Sequence, residues 1–382
     1  MTVTEIAVTG FRSIRSIRFP LRRLTVLVGG NGVGKTNLYR SLELLHAAAK
    51  GTLAEEIARE GGLGSIHFAG ELKKHERPRL VLEATLDGLA DGDTAYAAEI
   101  GFPMQYRNEM GFPTIVSAAF RTEAQIKEER LSLKRGRKDV VLMERNGKSV
   151  WARDAEGRRM LADDQLLASE TALSSLRGGY PEIDAVRHAI GSWRFYHGFR
   201  TDPGSLLRRP ALPITAPMLN ADGGNLAAVF ATLRHIREDS ADLDEAIETA
   251  FPGARLDVPR PEESASFSMT FPDLPKRKFV AGELSDGTLH FLALMGALLS
   301  YRLPPFIALN EPETSLHPTV LPALAKIIAK AAERTQVWVV THSRELAGAL
   351  AEATGVLPHE VIRDDGATWI EGLSRLGTFA DD

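Results

Sequence analysis

Four short segments hold residue types that handle phosphate, and they fall in a fixed order along the chain. The first, Gly29-Gly30-Asn31-Gly32-Val33-Gly34-Lys35-Thr36, fits the pattern G-x-x-x-x-G-K-[ST]. Glycines at 29, 32 and 34 let successive backbone N–H groups turn toward one anion, in conformations that a Cβ would obstruct. Lys35 would neutralise the two terminal phosphates of a nucleotide, and the Thr36 hydroxyl would coordinate Mg2+. A helix starting there adds its positive N-terminal end. The plain alternative is a glycine-rich turn with an incidental lysine.

The other three segments lie near the end of the chain. Leu284-Ser285-Asp286-Gly287-Thr288 precedes an apolar, helix-like run. Read alone it is a serine–aspartate helix cap. Read as a ligand site, Ser285, the Gly287 N–H and the helix end grip a phosphate. Phe306 to Leu309 is an apolar strand that delivers Asn310 and Glu311, followed by Pro312 and Glu313. A carboxylate at the C-terminal edge of such a strand is either simply solvated or set beside bound phosphate, where open α/β sheets take ligands. In the second case Glu311 is the general base or positioner for an attacking water. Gln336 to Val340 repeats the design and delivers Thr341-His342-Ser343, so His342 is either structural or a hydrogen-bonding sensor of the γ-phosphate. The order of all four, more than any one of them, points to ATP with Mg2+.

The elements that must position these residues are legible in outline. Leu24 to Val28 is a short apolar strand, and Leu38, Leu42, Leu45 and Ala49 recur at helical spacing until Gly51. Strand, glycine loop, helix is the context the phosphate motif requires. Residues 77–160 read as β-rich. Leu80, Leu82, Ala84 and Leu86 alternate, Thr114 to Phe120 is β-branched and apolar, and Asn146-Gly147 joins two strands as a hairpin. The charged stretch Glu123 to Asp139 reads as a solvated helix and loop. Residues 161–258 read as a helical insertion or lid, broken by glycine and proline.

From 259 the β/α rhythm returns. Phe267 to Phe271 is a strand, Thr288 to Tyr301 a helix, and Val320 to Glu333 another. The expected fold is α/β: a layered mixed sheet with flanking helices, a β-rich N-terminal subdomain (1–160), the insertion (161–258) and a C-terminal half (259–382).

Composition bounds the class. With 44% hydrophobic and 25% charged residues the chain can bury a sizeable core. A net charge of −4 lacks the basic excess common in nucleic-acid binders, so any such contact must use a local patch. Cysteine is absent, which excludes disulfides and thiolate metal sites and fits a cytoplasmic protein. The N-terminus alternates like a strand rather than a signal peptide, and no apolar run is long enough to span a membrane.

Taken together, these residues resemble the ATP-binding-cassette ATPases of the RecF/SMC type, and within them the stand-alone ATPase branch related to the overcoming-lysogenization-defect (OLD) proteins. Gly10-Phe11-Arg12-Ser13-Ile14 looks like that group's N-F-R-S-I opening strand, and Gly-x-Asn-Gly-x-Gly-Lys-Thr, with Asn37 next in the chain, is its usual phosphate loop. Leu-Ser-Asp-Gly-Thr is similar to its signature, Glu-Pro-Glu-Thr-Ser-Leu-His-Pro to its Walker B and D-loop, and Val-Thr-His-Ser to its switch histidine. The motifs frame nearly the whole chain, while the middle is matched only loosely.

The resemblance implies a P-loop NTPase fold and a twofold homodimer that closes over two ATP molecules. Gly29, Asn31, Gly32, Gly34, Lys35, Thr36 and Asn37 of one subunit would hold the nucleotide, with Arg12 near its phosphates. Ser285, Asp286 and Gly287 of the other would cover the γ-phosphate, and His317 would cross the interface. Glu311 and His342 would be catalytic, with Thr36 and Asn310 at the metal. The family's glutamine loop maps nearest to Ser65-Ile66-His67-Phe68, which contains no glutamine.

Two departures matter. Asn310 replaces the Walker B aspartate; its amide can still accept a hydrogen bond from a metal-bound water but carries no charge, so weaker Mg2+ binding or slow turnover follows. The short segment after His342 leaves no room for the Toprim nuclease domain that OLD proteins carry. The absence of heptads excludes a long SMC-like coiled coil.

The expected function is an ATPase switching between open and closed dimers, in DNA repair or anti-phage defence. DNA engagement would use Arg12, Arg15, Arg18, Arg22 and Arg23, or Lys134-Arg135-Gly136-Arg137-Lys138. The alternative is a poorly hydrolysing, ATP-gated module for a separate effector protein. A transporter ATPase is disfavoured, since its signature normally begins Leu-Ser-Gly-Gly.

Overall fold

The structure is a computed structural model. It describes residues 1–382 apart from 75, 77, 90, 91, 104, 105, 108–112, 115–119, 121, 137, 162–165, 238, 239 and 380–382. The chain forms two compact units, one of residues 1–22, 30–193 and 361–382, the other of 23–29 and 194–360.

The first unit begins with β1 (Val3–Phe11) and β2 (Ile14–Pro20), and resumes after 29 with α1 (Lys35–Lys50), α2 (Leu53–Arg59) and α3 (Leu63–Ile66). Next come β4 (Leu80–Leu89), β5 (Gly92–Gly101), the two-residue pair β6 (Tyr106–Arg107) and β7 (Pro113–Thr114), β8 (Gln125–Arg135), β9 (Lys138–Asn146), β10 (Ser149–Arg153) and β11 (Arg159–Leu161). Two helices follow, α4 (Ala172–Ser175) and α5 (Pro181–Gly191). Eight of the strands make an antiparallel sheet in the order β11-β10-β9-β8-β5-β4-β1-β2. On β4 the residues Leu80, Leu82, Ala84 and Leu86 are buried, so the alternation seen in the sequence is the inward face. Helix α1 packs on β1, β4 and α5.

Two expectations need correction here. The stretch 123–139 is not helix and loop but the β8–β9 hairpin. Glu129, Leu131 and Leu133 face inward at a period of two, which a β-bulge breaks after buried Ile126 and which the charged residue type at 129 disguised. Asn146 is itself paired, with Ser149, so Gly147 and Lys148 make the turn, Gly147 at φ 59°. Most of the expected Thr114–Phe120 strand lies outside the described residues.

In the second unit β3 (Leu24–Val28), β12 (Arg194–His197), β16 (Phe306–Asn310) and β17 (Gln336–Thr341) run parallel in the order β12-β16-β17-β3. The start of β18 (His359–Asp364) pairs parallel to β3 through His359 and Glu360. Every residue of β3, β16 and β17 is buried, the continuous apolar run of a sheet covered on both faces.

Around these strands lie α6 (Leu226–Thr232), α7 (Ala241–Ala250), α8 (Asp286–Leu299), α9 (Leu321–Arg334) and α10 (Arg344–Thr354). A small antiparallel sheet of β13 (Arg255–Asp257), β14 (Ser268–Thr270) and β15 (Phe279–Val280) accompanies them. Helix α8 is buried all round from Leu289 to Leu299, as a helix apolar on every face must be. Strand β12 lies inside the stretch read as helical; four residues are too few for a period to show in the sequence. Residues 361 onward return to the first unit, where the rest of β18 pairs with β19 (Ala367–Ile370).

Candidate phosphate and switch sites

In the first unit the glycine loop leads into α1. Gly32 and Gly34 have φ of 77° and 103°, conformations open to glycine and costly for other residues. A Cβ on Gly34 would lie 1.9 Å from Thr368 Oγ1 and 2.6 Å from Ser13 Oγ, so the loop is braced closely from behind. Thr368 donates to the Val33 carbonyl at 2.8 Å, and Arg363 Nε donates to the Gly32 carbonyl at 3.3 Å. Lys35 is buried and its Nζ donates to the Gly30 carbonyl at 2.7 Å, which folds the lysine back over its own loop. Thr36 is exposed in the first turn of α1, where N–H groups lack intrahelical partners.

Arg12, with φ 48°, meets the same helix end. Its guanidinium reaches Asn37 Oδ1 at 3.4 Å and Glu60 Oε2 at 2.6 Å, while Asn37 Nδ2 donates to Ser13 Oγ at 2.7 Å. The Ile66–Phe68 segment runs beside Arg12, joined through Arg12 N–Ile66 O at 2.8 Å and Phe68 N–Gly10 O at 3.0 Å.

Sequence reasoning gave no role to Ser13, Glu60, Arg363 or Thr368. Three of them lie far from the glycine loop in the chain and belong to no motif, so only the fold brings them there.

In the second unit the parallel register ends β12, β16, β17 and β3 at one level: His197 opposite Asn310, Asn310 opposite Val340, and Thr341 opposite Val28. Asn310 and Thr341 are fully enclosed. The Asn310 amide donates to His197 Nδ1 at 2.6 Å, so that nitrogen is unprotonated. The amide's Oδ1 is buried and has no hydrogen-bond partner among the described residues. A buried acceptor left open in this way suits a metal-bound water, so Asn310 fits a Mg2+ site without charge.

Glu311 follows at φ 49°, a conformation that costs a non-glycine residue about 1–3 kcal/mol and is held by its N–H on the Val340 carbonyl at 2.7 Å. That turn lifts the carboxylate off the strand end, leaving it partly exposed.

Glu313 carries more of the site than its place in the motif suggested. Its Oε1 accepts from Thr341 Oγ1 at 2.5 Å, from the His342 and Ser343 N–H groups at 3.1 and 3.2 Å, and faces His342 Nδ1 at 3.1 Å. One buried carboxylate therefore fixes the whole Thr341–Ser343 segment. His342 Nδ1 is 3.7 Å from Glu311 Oε1, and its ring stays half-exposed.

Ser285 is the N-cap of α8, accepting from the Thr288 N–H at 3.2 Å, so the cap reading of this residue describes its present contacts. A Cβ on Gly287 would lie 2.7 Å from the Ser315 carbonyl. Buried His290 joins its Nε2 to the Pro312 carbonyl at 3.1 Å, tying α8 to the loop after β16. His317 is exposed, its Nδ1 accepting from the Thr319 N–H at 3.3 Å at the start of a single 3-10 turn.

Of the arginines marked for DNA, Arg12, Arg15 and Arg18 are spent on Glu60, Glu76, and Glu5 with Glu83, and Arg23 on the carbonyls of Ala332 and Glu333. Lys134, Arg135 and Lys138 are exposed at the tip of the β8–β9 hairpin; Arg137 lies outside the described residues.

The fold is that of a P-loop NTPase of the ABC-ATPase type. The SMC head bound to the C-winged helix domain of ScpA is similar to this chain at 17% identity, with 98% of this chain and 99% of that one covered and a TM-score of 0.51. The SMC head domain from Thermotoga maritima (16%, 97% and 98%, TM-score 0.47) also matches. So does the Smc head domain with an extended coiled coil bound to the C-terminal domain of ScpA derived from Pyrococcus furiosus (15%, 98% and 96%, TM-score 0.49).

The chain belongs to the family described as "AAA domain, putative AbiEii toxin, Type IV TA system", whose profile matches residues 119–347, more than half its length. That span contains the signature, Asn310-Glu311 and His342 but begins after the glycine loop. No curated protein matches the sequence. Among the described residues no helix is long and apolar enough to cross a membrane.

Proposed function

We propose that this protein binds and hydrolyses ATP with Mg2+, closing as a homodimer over two nucleotides. The observation that carries the reading is the end of β16: a buried, open acceptor on Asn310 followed by Glu311 in a strained turn, with Glu313 holding His342 beside them. In this reading Gly29 to Thr36 wrap the phosphates, with Asn31 and the glycine N–H groups as donors. Lys35 leaves the Gly30 carbonyl for the terminal phosphates, and Arg12 and Asn37 flank them.

Thr36 and Asn310 hold the metal, which when bound offsets the charge developing on the phosphates. Glu311 orients a water and takes its proton as the oxygen bonds to the γ-phosphorus, while the bond to the β–γ bridging oxygen breaks to leave ADP. Ser285, Asp286, Gly287 and His317 act across the dimer, and His342 reports the γ-phosphate.

The strained φ at Glu311 and the neutral Asn310 favour slow turnover, which keeps a second reading alive: an ATP-gated module whose closure, rather than its rate, acts on a separate effector protein. The toxin wording of the family description favours anti-phage defence over DNA repair as the setting. Any DNA contact is assigned to the exposed Lys134, Arg135 and Lys138 of the hairpin tip, since the N-terminal arginines are paired. Steady-state hydrolysis tests the enzyme: Glu311→Gln should lower turnover by about a hundredfold or more while retaining ATP. Lys35→Ala should lose ATP binding itself. Full turnover in Glu311→Gln would remove this residue from the chemistry, and a wild type that binds ATP without turning it over would leave the gated module.

A further inference from the structure

The first turn of α8 carries a carboxylate, which is costly only if a second anion arrives. Asp286 is the first residue of that helix, directly after the capping Ser285. An acid there stabilises a helix, because the free N–H groups carry partial positive charge. The same partial charge is what an incoming phosphate would use, and two anions at one helix end repel each other.

Arg208 meets this carboxylate. Its Nη2 donates to Asp286 Oδ1 at 2.7 Å, its Nη1 to the Gly282 and Leu284 carbonyls at 2.9 Å each, and its Nε to the Thr201 carbonyl at 2.7 Å. The guanidinium is largely buried, at 14% exposure, against 63% for Asp286. Its own position is fixed, since Leu206–Arg208 is a 3-10 turn capped by Ser205 and anchored by fully buried Leu207. On the far side the loop abuts the Ser315 carbonyl through Gly287, so it is held from two directions.

We propose that Arg208 is a positioning and charge-cancelling residue for the signature loop. It neutralises Asp286, so that the end of α8 still attracts the γ-phosphate of a nucleotide held by a second copy of this chain. The inference rests on the dimer reading above. It makes Arg208 and Asp286 a functional pair, and it explains how this chain tolerates an acid where the transporter signature has glycine.

The sign of the double variant separates this from a merely structural tether. In a Glu311→Gln background, the ATP concentration giving half-maximal dimer is read by sedimentation, with thermal unfolding as the folding control. Arg208→Gln should raise that concentration about tenfold or more, by leaving Asp286 uncancelled. Arg208→Gln combined with Asp286→Asn should recover most of the loss, and Arg208→Lys, which keeps the charge, should close nearly as readily as the parent.

A double variant no better than Arg208→Gln would overturn the proposal, as would Arg208→Lys as impaired as Arg208→Gln. Failure of the Glu311→Gln parent to dimerise with ATP would instead sink the dimer reading together with this inference, so the two failures are distinguishable.

Discussion

Asn310 shows how one atom changes what a strand end can do. A carboxylate there would attract Mg2+ by charge; the amide offers one open oxygen and spends its nitrogen on His197. Asn310→Asp should therefore lower the Mg2+ concentration for half-maximal turnover by about tenfold. It should also reverse the His197 contact, so that Nδ1–H donates to the carboxylate. Unchanged Mg2+ dependence, measured by titrating the metal at saturating ATP, would show that Asn310 does not face the metal.

At this scale the sequence was informative wherever a motif names residue and neighbour together. Glu311 and His342 stood out because each ends an apolar strand. Glu313 and His197 did not, because their value lies in partners 28 or more positions away: Thr341 and His342 for the first, Asn310 for the second.

Between elements, two buried contacts carry consequences for stability. His290 bonds the Pro312 carbonyl, and burial holds its imidazole below the ordinary histidine range, partly offset by that hydrogen bond and by Glu313. The ring is thus neutral when folded. The unfolded chain takes up the proton first, so this contribution is full above the ordinary value of 6.5 and falls as pH drops below it. His290→Gln, which can still donate to Pro312, should flatten the loss of thermal stability between neutral and mildly acidic pH; an unaltered profile would remove His290 as its source.

In the first unit Glu129 is buried, and burial raises its carboxyl against the pull of the Leu173 and Ala172 N–H groups, Tyr96 and Arg145. It receives those N–H groups at 2.8 and 2.6 Å and the Tyr96 hydroxyl at 2.9 Å. Glu129→Ala strands all of these donors and should cost about 3–5 kcal/mol in denaturant unfolding. A loss under about 1 kcal/mol would mean that water replaces the carboxylate.

The same glutamate explains why β8 was unreadable. Its charged residue type breaks the apolar alternation that marks a strand, whereas β3, β16 and β17, short and mostly apolar, were legible at once.

For the whole molecule, the sequence revealed the class of ATPase through motif order but not the division of the chain. Each unit is discontinuous, the backbone crossing between them at 22/23, 29/30, 193/194 and 360/361, and no run of composition marks such crossings. The central claim is that ATP draws two copies together through the Ser285–Gly287 loop and the glycine loop. The molar mass of Glu311→Gln in solution, with and without ATP and Mg2+, tests it most directly. The account predicts a doubling of mass on adding nucleotide, abolished when Lys35→Ala is combined with Glu311→Gln. A mass that stays the same while bound ATP is demonstrated would contradict it.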